Sequence, residues 1–187
     1  MRILLDCHEV LADFTGAALE IHGYSRKEFE ALPSYIPGAW DLVRQLGLSD
    51  EDFWYPINRA GEGFWRDLLM LPEAPYLIHW LDTQRLSLIE EWYIVSSPSQ
   101  HTSSYAGIRA WVQEHLGMDW NRLVLTNHKH LLANPDTILI DDSESNTAQF
   151  ERAGGNAILY PAWCNHLHAC DDPLGYTLKN LDHSLKC

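Results

Sequence analysis

The sequence predicts a doubly wound α/β fold: a parallel sheet with helices on both faces and a helical insertion after its first strand. Three observations lead there. Short apolar runs recur without polar alternation, which suits strands buried on both faces. Stretches with helical spacing separate the later runs, as strand–helix alternation requires. One long interval, from about Phe14 to Pro72, contains no convincing strand.

Taken in order, "RILLD" from Arg2 reads as the first strand and ends on Asp6. Phe14, Ala17, Ala18 and Ile21 then form a helical stripe. Ser25 with Glu28, and Ser49 with Asp52, have the spacing of helix-start boxes. Pro33, Pro37, Pro56 and Pro72 are expected to break the interval into short helices. The interval is too long for a simple loop. Tyr76, Leu77, Trp80 and Leu81 fall on one helical face, and "WYIVSS" from Trp92 reads as the second strand. Ile108, Trp111, Val112 and Leu116 mark the next helix, with Gly117 as its stop. "RLVLT" from Arg122 and "TILIDD" from Thr137 are the third and fourth strands. A helix from Ser145 to Arg152 stops at Gly154-Gly155, before the last strand "NAILY" from Asn156. The implied division is a core of residues 1–13 and 74–187 with a helical insertion of residues 14–73. Neither an internal repeat nor a low-complexity segment is present.

Composition bounds the function. A chain of 187 residues with eight Trp can build one domain with a substantial core. A net charge of -13 argues against a nonspecific nucleic-acid binder, which needs a basic surface. It leaves room for a small anionic substrate, provided a metal ion and a few local cations neutralise it. No apolar run approaches the length of a membrane span, and "MRILLDCHE" lacks the pattern of a signal peptide. Cys7, Cys164, Cys170 and Cys187 are few for this length, so reduced thiols in a cytoplasmic protein are expected.

In open α/β sheets, ligands bind at the carboxyl ends of the strands. Those ends carry Asp6, then Ser96-Ser97, then Thr126 with Lys129, then Asp141-Asp142. Carboxylates there suit a hard cation such as Mg²⁺, and hydroxyls with a Lys suit phosphoryl oxygens. The set fits metal-assisted attack on a phosphate. Taken singly, each has an ordinary alternative. "LLD" could end a strand and open a turn, Ser96-Ser97-Pro98 could start a loop, and Lys129 in "NHKH" could be a solvated charge. Asp141-Asp142 is harder to explain that way, because adjacent buried carboxylates repel unless a cation or donors compensate.

Four segments in order, "LLDCHEVLADF", "IVSSPS", "LTNHKHLL" and "ILIDDSESN", resemble the motifs of the haloacid dehalogenase (HAD) superfamily, and within it the 5'(3')-deoxyribonucleotidase family. The likeness continues through "ERAGGNAILYPAW" and spans Arg2 to about Trp163. It implies a Mg²⁺-dependent phosphatase acting on a small phosphomonoester, a (deoxy)ribonucleoside monophosphate, through an aspartyl-phosphate. Asp6 would be the nucleophile, and Asp6, Asp142 and the backbone carbonyl of His8 would hold the metal. Ser96 and Lys129 would clamp the phosphate with help from Ser97, while Asp141 and Asn146 support them. The insertion would be a cap that closes over the site. Phe64-Trp65 resemble cap aromatics against which a base packs, although both suit the cap's own core equally well. Whether the chain dimerises stays open.

Two positions depart from the pattern. The family's phosphatases place a second aspartate two residues after the nucleophile, to protonate the leaving oxygen and then activate water. Here that residue is His8, followed by Glu9 where glycine is usual. His8 could serve as the acid, activity could persist without a donor, or the chain could bind a nucleotide or a protein and turn nothing over. Glu9 could reach the acid's place only by turning a side chain expected to point elsewhere. Finally, "CNHLHAC" offers Cys164, His166, His168 and Cys170 as zinc ligands, but the alternate spacing favours an ordinary His-rich loop.

Overall fold

A computed structural model of the chain describes residues 1–84, 88–117 and 120–185; Cys187 lies outside them. Five strands form the sheet: β1 (Arg2–Leu5), β2 (Glu91–Ser96), β3 (Leu123–Leu125), β4 (Thr137–Asp141) and β5 (Asn156–Leu159). All pairings are parallel, in the order β3-β2-β1-β4-β5. The chain moves outward from β1 through β2 and β3, then returns to β4 on the other side of β1. That reversal opens a crevice beyond the ends of β1 and β4.

The period of two along each strand sends alternate residues to opposite faces. Ile3, Leu5, Trp92, Ile94, Ile138 and Ile140 join one buried cluster, while Leu4, Val95 and Leu139 join another across the sheet. Both faces are therefore apolar, which is why the strands read as unbroken runs. The first face is covered by α6 (Ala74–Gln84), α7 (Thr102–Leu116) and α9 (Pro173–Ser184), through Leu77, Leu81, Trp111, Val112 and Leu181. The second is covered by Phe150 of α8 (Glu144–Arg152). Gly117 ends α7 in the left-handed region with φ 56°, as its place after the apolar stripe predicts. The sequence reading did not reach α9, although Asp172 as N-cap and Pro173 in the first turn mark its start.

Between β1 and β2 lie α1 (Phe14–Ile21), α2 (Arg26–Glu30), α3 (Leu42–Gln45), α4 (Asp50–Ala60) and α5 (Glu62–Arg66). They share a core of Ala18, Leu19, Phe29, Phe53, Ile57 and Trp65, joined by Ile108 of α7. Ser25 forms the expected reciprocal capping box with Glu28, and Ser49 caps α4 through the Asp52 amide. One expectation is corrected: Pro56 lies inside α4 and does not break it. Its ring removes one amide donor, but burial of Phe53 and Ile57 on either side keeps the helix seated. Among the described residues, no helix is long and apolar enough to cross a membrane.

Candidate active site

Asp6 directly follows the central strand. Its amide donates to the Ile140 carbonyl of β4 at 2.9 Å, which fixes the end of β1 against β4. Its Oδ1 accepts the Cys7 amide at 2.8 Å, and the Cys7 carbonyl accepts the Leu11 and Ala12 amides at 2.8 and 2.9 Å. Asp141, at the end of β4, is held by the start of α8. Its Oδ1 accepts the Ser143 amide at 2.9 Å, and Asn146 Nδ2 reaches its two oxygens at 3.1 and 3.2 Å. Lys129 opens a 3-10 turn, Lys129–Leu132, after β3. Its ammonium lies 2.7 Å from Asp6 Oδ1 and 2.6 Å from Asp141 Oδ2, fully within the protein. This is no solvated charge.

Oxygens of Asp6, Asp141 and Asp142 come within 4.8 Å of one another, all three residues buried. Burial pushes the carboxyls of Asp141 and Asp142 above the ordinary range, and the neighbouring carboxylates push them further. For Asp142 the effect is pronounced; the thiol of Cys164, 3.3 Å from Oδ2, pulls only weakly the other way. Burial alone would depress the Lys129 ammonium, but Asp6 and Asp141 outweigh it and hold it above the usual lysine value. One ammonium cannot neutralise three buried carboxylates. The all-oxygen donor set and its excess negative charge fit a hard divalent cation.

His8 and Glu9 shape the turn after Asp6. The His8 ring lies 5.7 Å from Phe14 and 5.4 Å from Trp65 between centroids, and its Nε2 is enclosed without a hydrogen-bond partner. Burial, aided by the Lys129 ammonium, pulls its pKa down to about 3, so the free protein holds a neutral imidazole. Glu9 adopts φ 59°, which costs a residue other than glycine about 1–2 kcal/mol. Its buried carboxylate is satisfied: Oε1 accepts the Thr15 amide at 2.7 Å and Oε2 accepts Trp163 Nε1 at 2.8 Å. Burial pushes the Glu9 carboxyl up, while the Thr15 donors pull it down.

A cavity of about 520 Å³ opens from these groups toward the helical insertion. Asp6, His8, Glu9, Ser97, Asp142 and Asn146 line its polar end, and Phe14, Trp54, Trp65 and Trp163 contribute aromatic walls. Among the described residues, no Lys or Arg is on the wall. Trp40 stands at the edge, 59% exposed. The residues singled out in the sequence divide as follows. Asp6, Asp141, Asp142 and Lys129 form one buried cluster, and Asn146 braces it. Ser97 is on the wall, while Ser96 is fully buried off it with Oγ unpartnered. Trp65 belongs to the cap core at 2% exposure yet presents part of itself to the cavity. Phe64 meets Trp65 edge to face at 5.3 Å and is not on the wall.

Several wall residues escaped the sequence reading. Trp54 and Thr15 carry no motif. Trp163 closes "YPAW", where it marks only the end of the resemblance, and the Glu9 side chain enters the site instead of leaving it. In "CNHLHAC", Cys164 faces Asp142, His166 pairs with Glu144 at 2.6 Å, and His168 Nδ1 meets the Asn165 carbonyl at 3.2 Å. Cys164, His166 and His168 thus point to separate partners.

The family model for the 5' nucleotidase, deoxy (pyrimidine), cytosolic type C protein matches residues 1–172. No curated protein sequence matches the chain. Among solved structures, a haloacid dehalogenase-like protein of unknown function from Agrobacterium tumefaciens superimposes with a TM-score of 0.59 at 14% identity, over 99% of this chain and 97% of that one. A haloacid dehalogenase-like hydrolase from Xanthomonas campestris gives 0.56 at 11% identity, covering 100% and 93%. CbbY from Rhodobacter sphaeroides in complex with phosphate gives 0.52 at 14% identity, covering 88% of each chain. At these identities the structures establish a common fold, that of the HAD hydrolases.

Proposed function

The chain belongs to the 5' nucleotidase, deoxy (pyrimidine), cytosolic type C family of HAD-like hydrolases, and from that premise we propose that it is a Mg²⁺-dependent phosphatase of nucleoside monophosphates. The observation that carries the proposal is the placement of the Asp6 carboxylate. It stands at the switch point of the sheet, against Lys129 and near Asp142, at the polar end of an aromatic cavity.

Asp6, Asp142 and the His8 carbonyl would hold the cation, which when bound neutralises carboxylate and phosphate charge together. Asp6 attacks phosphorus, the P–O bond to the nucleoside breaks, and an aspartyl-phosphate remains on Asp6. Water then attacks that phosphorus, releasing phosphate and restoring the carboxylate. Lys129 restrains Asp6 and Asp141 and offers positive charge to a phosphoryl oxygen, with Ser97 at the cavity wall and the buried Ser96 hydroxyl beside it in sequence. The departing alkoxide needs a proton. His8 occupies the acid's place, and the donor we assign to that oxygen is its imidazolium, formed when the neutral ring of the free protein takes up a proton as the negatively charged phosphate binds beside it. The aromatic walls, Trp65 among them, suit a nucleobase.

A second reading is favoured by the surroundings of His8: packed beside Phe14 and Trp65, its ring is built like a wall of the cavity. In that case the chain binds nucleotides and hydrolyses them slowly, or not at all.

Phosphate release from a panel of nucleoside monophosphates with Mg²⁺ tests both. Release by the native protein that disappears in Asp6→Asn supports the first reading. No release by the native protein, with release appearing in His8→Asp, supports the second. Silence from both proteins across the panel excludes the nucleotidase.

A further inference from the structure

We propose that Glu9 is a positioning residue: its carboxylate ties the Trp163 indole to the start of α1 and so fixes one wall of the substrate cavity. The proposal rests on the phosphatase reading above for its effect on catalysis, and on geometry alone for the tie itself.

Glu9 and Trp163 are 154 positions apart, yet Oε2 accepts the indole N–H at 2.8 Å. The same indole nitrogen lies 3.0 Å from Thr15 Oγ1, and the other Glu9 oxygen accepts the Thr15 amide at 2.7 Å. Thr15 is the second residue of α1, so its amide is one of the helix-start donors that lack a partner within the helix. A carboxylate there also meets the positive end of the helix dipole. Trp163 in turn packs edge to face on Phe29 of α2 at 5.8 Å, and its carbonyl accepts the Gly38 amide at 3.1 Å. The loop after β5, the turn after β1 and the helical insertion therefore meet at this one carboxylate. Glu9 reaches the meeting point from a backbone conformation that glycine would adopt more readily, φ 59°. Both of its partners are N–H donors. Each donor meets a different oxygen, so a glutamine must turn its own NH₂ toward one of them.

The test uses full-length protein labelled with 5-fluorotryptophan, in which the Trp163 resonance is the one lost in Trp163→Phe. Glu9→Gln should shift or broaden that resonance and leave the others close to their native positions. On a nucleoside monophosphate, Glu9→Gln should raise KM about tenfold, the scale of one charge-assisted hydrogen bond, with kcat little changed. Acetyl phosphate, which has no base to reach Trp163, should keep its native KM. Trp163→Phe should reproduce the KM effect, and the double variant should be no worse than either single one. Glu9→Gly relaxes the strained φ, which offsets part of the stability lost with the two acceptor oxygens, and it should still raise KM. An unchanged Trp163 resonance in Glu9→Gln overturns the tie whether or not the protein is active. A shifted resonance with native KM, or additive effects of the two substitutions, overturns the positioning role. Failure of the native protein to hydrolyse any phosphate ester instead sinks the phosphatase reading and the catalytic role that rests on it, and leaves the resonance to decide the tie.

Discussion

The Lys129 ammonium sits 2.7 Å from Asp6 Oδ1, with both side chains buried and Asp141 on the other side of the ammonium at 2.6 Å. Removing it leaves carboxylates packed together without their cation. Lys129→Met should therefore lower the unfolding free energy by about 3–5 kcal/mol, the cost of breaking a buried ion pair by deleting one partner. Urea unfolding measures this directly. A loss under about 1 kcal/mol would mean that the carboxylates shed their charge by taking up protons.

Asp6, Asp142 and the His8 carbonyl should bind Mg²⁺, and binding should raise the melting temperature, since a ligand held by the folded state alone stabilises it by mass action. At a hundred times Kd the gain is about 2.7 kcal/mol. Removing the metal with EDTA should reverse it. Asp142→Ala should abolish the calorimetric signal in a protein that still folds; native-like Mg²⁺ binding in that variant would move the metal site elsewhere.

Trp65 joins the cap core to the cavity wall, so its two roles can be separated. Trp65→Ala should destabilise the protein by about 3–5 kcal/mol, as truncation of a buried aromatic does. It should also raise KM for a nucleotide more than for acetyl phosphate. Equal loss on both substrates would assign Trp65 to the core alone.

Gly107 supports the same wall from α7. A Cβ built there would come 2.5 Å from Trp65 Cβ and 2.6 Å from the Glu62 carbonyl oxygen, too close for any side chain. Gly107→Ala should thus push α5 away, destabilise by about 1–3 kcal/mol through overpacking, and alter nucleotide KM. A native melting curve and KM would show that α5 yields without effect.

His8 is tested by the leaving group. A nucleoside alkoxide needs a proton to depart, whereas an activated aryl phosphate releases a phenolate that leaves unaided. His8→Ala should therefore reduce nucleotide turnover by roughly the 10²–10⁴-fold typical of general acid catalysis and spare the aryl phosphate. Asp6→Asn should abolish both. Equal rates for His8→Ala and native protein on the two substrates would remove His8 from proton transfer.

Period and punctuation carried much of this protein. Apolar runs without alternation determined the five strands, because a parallel sheet covered on both faces needs apolar residues at successive positions. Helix starts at Ser25 and Ser49 and the stop at Gly117 were legible because their capping partners lie within a few residues. The strand-end acids were legible too, since strand ends converge at a known place in such sheets. What the tertiary structure alone decided is where side chains in irregular segments point and whom they meet. Lys129 reads as a phosphate clamp or as a solvated charge until the turn after β3 carries it into the carboxylates. Pro56 reads as a breaker until buried neighbours hold its helix. Glu9 reads as a misplaced residue until Trp163 arrives from the far end of the chain. A turn residue has no period to announce its direction, and a partner many positions away leaves no local trace. Those contacts exist only once the sheet has brought the loops together.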